Sequence, residues 1–253
     1  MILSSLNHLL FIKGRKVAGT SIEVWLSSFC GPEDIITPIT PVDEKSRLRL
    51  GFKVAQNYGA NRQVLDKYLS KLALVSGERL GMLTPPRGTF FNHMSLVDFE
   101  MEWGSIPDTY TIFAVDRCPY RKVISMANMQ LDFHAYRKTG KVMSRDLESV
   151  KRQIDKMIDD GSIVEARNIN LYKNKSGILE LDIVRYENLY EDLASVLCQH
   201  KDMWITPGSL GYYKRGLVSE SIDIEAVLTL RQISKINHIF FEEFETYGYS
   251  YFG

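Results

Sequence analysis

Between Lys13 and Ser21 the chain reads K-G-R-K-V-A-G-T-S, which sets three cations, two glycines and two hydroxyls within nine residues. These residue types suit an anion cradle. Gly14 and Gly19 allow close backbone approach, while successive N–H groups and the start of a helix near Gly19 to Ser21 point at whatever sits there. Lys13, Arg15 and Lys16 add positive charge, and Thr20 and Ser21 add hydroxyl donors. Each hydrogen bond to a charged oxygen contributes about 1.5–3 kcal/mol. The loop is not the G-x-x-x-x-G-K-[ST] loop of nucleotide hydrolases: the two glycines have that separation, but Thr20 stands where the lysine belongs and Lys16 precedes the second glycine. A second segment, I-F-A-V-D-R-C-P-Y-R-K-V-I-S over 112–125, also suits an anion. The Arg117 guanidinium can grip a phosphate with two parallel hydrogen bonds. Pro119 fits the first turn of a helix, where its missing N–H costs little, and Ser125 follows about two turns later.

The elements that carry these segments are legible as pattern. His8 to Lys13 is a short apolar run that predicts a buried strand, and Ile22, Trp25, Leu26 and Phe29 share one helical face before Gly31-Pro32. Tyr110 to Val115 predicts the clearest strand, with a helix from about Tyr120. Leu179 to Val184 predicts another strand, with a helix opening at Arg185-Tyr186-Glu187-Asn188. Residues 62–75 and 144–160 read as helices, 31–47 as a long loop, 77–92 as a Gly- and Pro-rich loop, and 222–247 as one long terminal helix. Three strand-to-helix units predict an α/β fold in a single domain spanning 1–253, with a mainly parallel central sheet of about five strands flanked by helices. In such folds ligands sit at the carboxyl ends of strands.

Composition narrows the function classes. Lys plus Arg and Asp plus Glu each number 31, so the chain lacks the basic excess of a nucleic-acid binder. Cys30, Cys118 and Cys198 are odd in number and without C-x-x-C spacing, which argues against a disulfide framework or a thiolate zinc site and fits a reducing cytoplasm. The five histidines are scattered, so no metal is expected. No apolar run reaches the roughly 18 residues that span a membrane, and Met1 to Ile12 lacks the basic start and cleavage site of a signal peptide.

The loop resembles the 5′-phosphosulfate loop of sulfotransferases that use 3′-phosphoadenosine-5′-phosphosulfate (PAPS), often written P-K-[TS]-[AG]-G-T-[ST]. Lys16, Ala18, Gly19, Thr20 and Ser21 fit it, while Arg15 replaces the proline and Val17 the hydroxyl. The second segment resembles that family's 3′-phosphate motif, R-[DN]-P-x-x-R-x-x-S, with Cys118 in place of the acid or amide and Lys122 in place of the later arginine. The resemblance implies a P-loop-like fold. It implies PAPS as co-substrate and 3′,5′-adenosine bisphosphate (PAP) as product, with no metal required. It gives cofactor contacts to Arg15, Lys16, Ala18, Gly19, Thr20 and Ser21, the 3′-phosphate to Arg117 and Ser125, and the adenine to Tyr186 in a Y-E-[DN]-L-like segment. It further suggests that Lys214 and Arg215, in Y-Y-K-R-G, close over the nucleotide. Sulfuryl transfer needs an acceptor hydroxyl deprotonated as it attacks. His93, in F-F-N-H-M-S, is the expected base, with Glu100 and Glu102 as the fallback, and Lys16 the expected stabiliser of the leaving phosphate. The resemblance, which leans toward carbohydrate-type relatives, implies an acceptor that is a sugar, a glycolipid or another small metabolite. The rival readings are a nucleotide kinase or NTPase on a related fold, and a non-catalytic nucleotide-binding protein.

Overall fold

The computed structural model describes residues 1–139, 146–200, 203, 205–206, 208–211 and 223–253. These pack as two compact units. The first holds Met1–Gly14, Ala18–Val115 and the described residues from Asn170 to 211; the second holds Arg15–Val17, Asp116–Ile169 and the described residues from Asp223 onward.

The first unit is built on a five-stranded sheet in the order β3-β1-β2-β4-β5, formed by β1 (Ile2–Ser4), β2 (Leu9–Ile12), β3 (Ile35–Ile36), β4 (Thr111–Asp116, whose last residue belongs to the second unit) and β5 (Asp182–Arg185). Leu9, Leu10, Phe11 and Ile12 are all fully buried, which is why a continuous apolar run forms a central strand here. β2 and β4 run parallel, with Ile12 beside Ala114, so their carboxyl ends point the same way. β1 pairs antiparallel with both β2 and β3. The expectation of a mainly parallel sheet is therefore corrected: the sheet is mixed, because a further strand, β1, precedes the expected one and forms a hairpin with it whose turn spans Ser5 to His8.

Helices α1 (Gly19–Leu26), α2 (Pro41–Arg49), α3 (Arg62–Leu74), α4 (Glu78–Gly81) and α5 (Leu96–Trp103) follow β2 in this unit. The expected loop over 31–47 instead contains β3 and α2. Thr40 accepts the Asp43 N–H and Pro41 fills the first helical turn, so T-P-x-D is a helix start that the prolines disguised as a loop. Buried Lys45 then donates to the carbonyls of Leu72, Ala73 and Val75 at 2.9, 3.0 and 2.6 Å, closing the carboxyl end of α3 with the charge that end favours.

The second unit is helical: α6 (Pro119–Thr139), α7 (Leu147–Asp159), α10 (Ile224–Val227), α11 (Leu230–Ile239) and α12 (Phe241–Tyr247), while α8 (Ile169–Tyr172) and α9 (Leu189–Val196) lie between α7 and α10 in the chain. Its core joins Val123 and Ala127 of α6, Ile154 and Met157 of α7, Ile236 of α11 and Phe244 of α12. The single terminal helix expected over 222–247 is three helices. Thr229 and Gln232 form a reciprocal capping box that starts α11 afresh, and Phe240, at φ −103°, separates α11 from α12. Among the described residues no helix is long and apolar enough to cross a membrane.

Candidate functional site

In the first unit the cradle segment begins where β2 ends. Lys13 was expected among its anion-binding cations, but its side chain is buried and its Nζ lies 2.5 Å from Glu23 Oε2 on α1. The other Glu23 oxygen accepts a hydrogen bond from the Met1 amino group. Burial opposes the Glu23 charge, yet Lys13 and the Met1 amino group outweigh it and hold the carboxyl down at about 2, while burial brings that amino group down to about 5. The Lys13 stem lies over the start of α1, where a Cβ on Gly19 would stand only 2.7 Å from Lys13 Cγ. Gly19 is thus required by the packing of Lys13 as well as being suited to ligand approach.

The loop backbone is unusual for side-chain-bearing residues. Lys16 and Ala18 adopt left-handed φ values of 64° and 61°, each costing roughly 1–2 kcal/mol. Left-handed residues alternating with right-handed ones are one way that backbone N–H groups are gathered into a concavity able to take an anion. Helix α1 opens from Ala18 with no side-chain cap and no acidic residue in its first turn. Its first backbone bonds run from Ser21 and Ile22 to the Ala18 carbonyl at 2.9 and 3.3 Å. The N–H groups of Gly19 and Thr20 precede those bonds and carry the positive end of the helix. Thr20 is largely buried and Ser21 half-buried.

His93 comes to the same strand end. Its Nδ1 lies 3.1 Å from the Lys13 carbonyl, across 80 residues of sequence. A carbonyl only accepts, so Nδ1 carries the proton and Nε2 keeps the lone pair. Burial, then the nearby Lys13 charge, lowers the imidazole to about 3, so it is neutral at physiological pH. The fallback carboxylates sit on α5, Glu100 half-buried and Glu102 exposed. Tyr186 is half-buried in the 3-10 turn Tyr186–Asn188 that follows β5.

The second unit holds other residues that the sequence reading singled out. Arg15 is clamped by its backbone: its N–H donates to Asn168 Oδ1 at 2.8 Å and its carbonyl accepts from Asn168 Nδ2 at 3.0 Å. The guanidinium reaches the Glu165 carbonyl at 3.4 Å. The N–H groups of Asn168 and Ile169 donate to Glu243 Oε1 at 2.6 and 3.0 Å. The other Glu243 oxygen pairs with Lys122, and Lys122 Nζ lies 2.6 Å from Asp116 Oδ1. That same oxygen accepts the Arg117 backbone N–H at 2.6 Å. A buried network thus runs from Arg15 through Asn168, Glu243, Lys122 and Asp116 to Arg117. It ties Arg15 to Arg117 inside the second unit.

Lys122, at the motif position where the family carries an arginine, is fully buried and serves this network. Burial works against its charge, but the two carboxylates outweigh it and raise the ammonium. Asp116 is pushed up to about 7 by burial and by Glu243, with Lys122 opposing. The Arg117 side chain is largely buried, and Ser125 is half-buried two turns into α6. Lys214 and Arg215 lie outside the described residues, as do Tyr212, Tyr213 and Gly216. Among the described residues no group of three His, Cys, Asp or Glu could hold a metal ion.

Asn168, Glu243 and Glu23 are residues of this arrangement that motif reading missed. Two of them left a trace: Glu243 stands between buried Phe240 and Phe244, and Glu23 within I-E-V-W-L, so each is a carboxylate set into an apolar helix face. Asn168 left none. Compared with protein-family models, with curated proteins and with solved structures, the chain matches none, and a functional reading rests on the arrangement of its own side chains.

Proposed function

We propose that the chain is a sulfotransferase that moves a sulfuryl group from PAPS to an acceptor hydroxyl, with PAP as the second product. The observation that carries this reading is the buried network joining Arg15 to Arg117, because it couples two anion-type motifs about a hundred residues apart. The left-handed loop backbone and the arrival of His93 at the Lys13 carbonyl support it.

In this reading Lys16, Ala18, Gly19, Thr20 and Ser21 take the 5′-phosphosulfate, Arg117 and Ser125 the 3′-phosphate, and Tyr186 the adenine. Arg15 contributes by anchoring the loop. The acceptor oxygen attacks sulfur, and the bond from sulfur to the bridging oxygen breaks. The electron pair of that bond stays on the leaving phosphate, where Lys16 and the loop N–H groups stabilise it. The acceptor proton passes to His93 Nε2, whose lone pair is free of protonation at neutral pH. Sulfate ester, PAP and one proton balance the step. Positioning and electrostatics supply most of the rate, as in phosphoryl transfer.

Calorimetric titration with PAP, and with ATP and ADP in the presence of Mg²⁺, tests the reading without knowledge of the acceptor. PAP should bind without Mg²⁺. Ser125→Ala and Arg117→Ala should each weaken it by about tenfold or more, since a hydrogen bond to a charged group contributes roughly 1.5–3 kcal/mol. Preference for ATP with Mg²⁺ would replace the reading with a kinase or NTPase, and binding of none of the three would leave a protein without a nucleotide site.

A further inference from the structure

The first unit contains a cavity of about 500 Å³ whose wall includes Glu33, Asn57, Tyr58, Arg62, Phe90 and Trp103. Its three walls come from distant stretches of sequence and are bonded to one another. Asn57 Nδ2 donates to the carbonyls of Pro32 and Asp34 at 2.7 and 3.0 Å, joining the second wall to the first. The Phe90 N–H donates to the Tyr58 carbonyl at 3.0 Å, joining the third to the second. Two glycines make that approach possible. A Cβ on Gly88 would stand 2.3 Å from the Tyr58 carbonyl oxygen, and one on Gly59 would stand 2.5 Å from Thr89 Oγ1. The cavity is therefore built into the fold, the usual state of a small-molecule site.

Its lining selects a chemistry. Phe90 and Trp103 meet edge to face with centroids 6.2 Å apart, and Phe99 stacks on Trp103 at 6.0 Å, which holds the partly exposed indole in place. A fixed aromatic face suits the C–H face of a saturated ring. Around it stand the exposed Glu33 carboxylate, the Asn57 carboxamide, whose Nδ2 is committed to Pro32 and Asp34 so that Oδ1 is its group for a ligand, and the Arg62 guanidinium, whose Nε pairs with Asp66; together they offer acceptors and donors suited to hydroxyls. Arg62 is already paired with Asp66, and Glu33 adds a further negative charge, so the lining does not favour a polyanion. The cavity also lies close to the base of the proposed reaction. His93 lies three positions after Phe90, so their Cα atoms are at most about 11 Å apart.

We propose that this cavity binds a neutral hexopyranoside and is the acceptor site of the chain, an inference whose acceptor role rests on the sulfotransferase reading. The ring packs on Trp103 and Phe90, its hydroxyls bond Glu33, Asn57 and Arg62, and one hydroxyl is directed toward His93.

Titration of the full chain with methyl β-D-glucopyranoside and methyl β-D-galactopyranoside, with glucose 6-phosphate and cyclohexanol as charged and hydroxyl-poor comparisons, tests the proposal. Saturable binding of a methyl hexoside, weakened about tenfold by Trp103→Ala and by Glu33→Gln, is expected. Glu33 is exposed, so the second variant leaves folding intact. Absence of saturable hexoside binding, binding that neither variant weakens, or tighter binding of the phosphorylated sugar would overturn the proposal. PAP binding measured on the same samples separates the two readings. A hexoside that binds where PAP does not would leave a saccharide site and overturn only its role as acceptor site. PAP binding unchanged in both variants, beside lost hexoside binding, is the result expected of an acceptor site.

Discussion

Each unit buries a lysine beside a phosphate-type motif, and the two lysines are balanced differently. In the first unit Lys13 meets one carboxylate, Glu23, which is held down at about 2. In the second unit Lys122 meets two, Asp116 and Glu243, and Asp116 is pushed up to about 7. The first pair is matched in charge and fixes the Lys13 stem across the start of α1. The second carries an excess carboxylate, and both of its carboxylates also accept from backbone: Asp116 from Arg117 N–H, and Glu243 from Asn168 and Ile169 N–H. A buried carboxylate in excess of its cations is costly unless hydrogen-bonded. Here those bonds hold the backbone on either side of the network. A lysine within a candidate anion-binding segment is therefore not by that fact a ligand contact: both of these act on the scaffold.

The comparison can be broken most severely at Lys122. Lys122→Met strands two buried carboxylates and should cost about 3–5 kcal/mol in denaturant unfolding. Lys13→Met strands one carboxylate that keeps the Met1 amino group beside it and should cost less; equal losses would mean that the charge balance is not what separates the two sites. Gly19→Ala should come next, at about 1–3 kcal/mol, because the new methyl group meets Lys13 Cγ rather than the movable end of that side chain. A neutral result would show that Lys13 does not lie across the helix start.

The smallest effect is read from pH. The folded-state value of Asp116 is raised, so its contribution to stability is complete below the ordinary carboxylate range and is lost as pH rises through about 7. Between about pH 6 and 8 the loss is on the order of 1 kcal/mol. His93 acts in the opposite direction, since its value is lowered to about 3 and its contribution is lost as pH falls below its ordinary range. Comparing Asp116→Asn with the parent chain cancels the His93 part. The difference in stability between the two proteins should change by about that amount across the window, and parallel curves would place the Asp116 charge elsewhere.

The sequence by itself determined the local elements. The apolar run at Leu9–Ile12, the strand at Thr111–Asp116, the helix opening at Pro119 and the glycine-rich loop were all visible, because burial periodicity and turn chemistry act over a few residues. The start of α2 at Thr40-Pro41 and the restart of α11 at Thr229 were written in the same local code. Only the tertiary structure decided the rest. The hairpin that makes the sheet mixed depends on pairing partners. The internal use of Lys13 and Lys122 depends on Glu23 and Glu243, the latter 121 residues from its partner. The junction of Arg15 with Arg117 depends on Asn168, an amide that no motif distinguishes. Whether a lysine faces a ligand or a buried carboxylate is fixed by what packs against it from far along the chain, because a charge in the interior is stable only where partners converge on it.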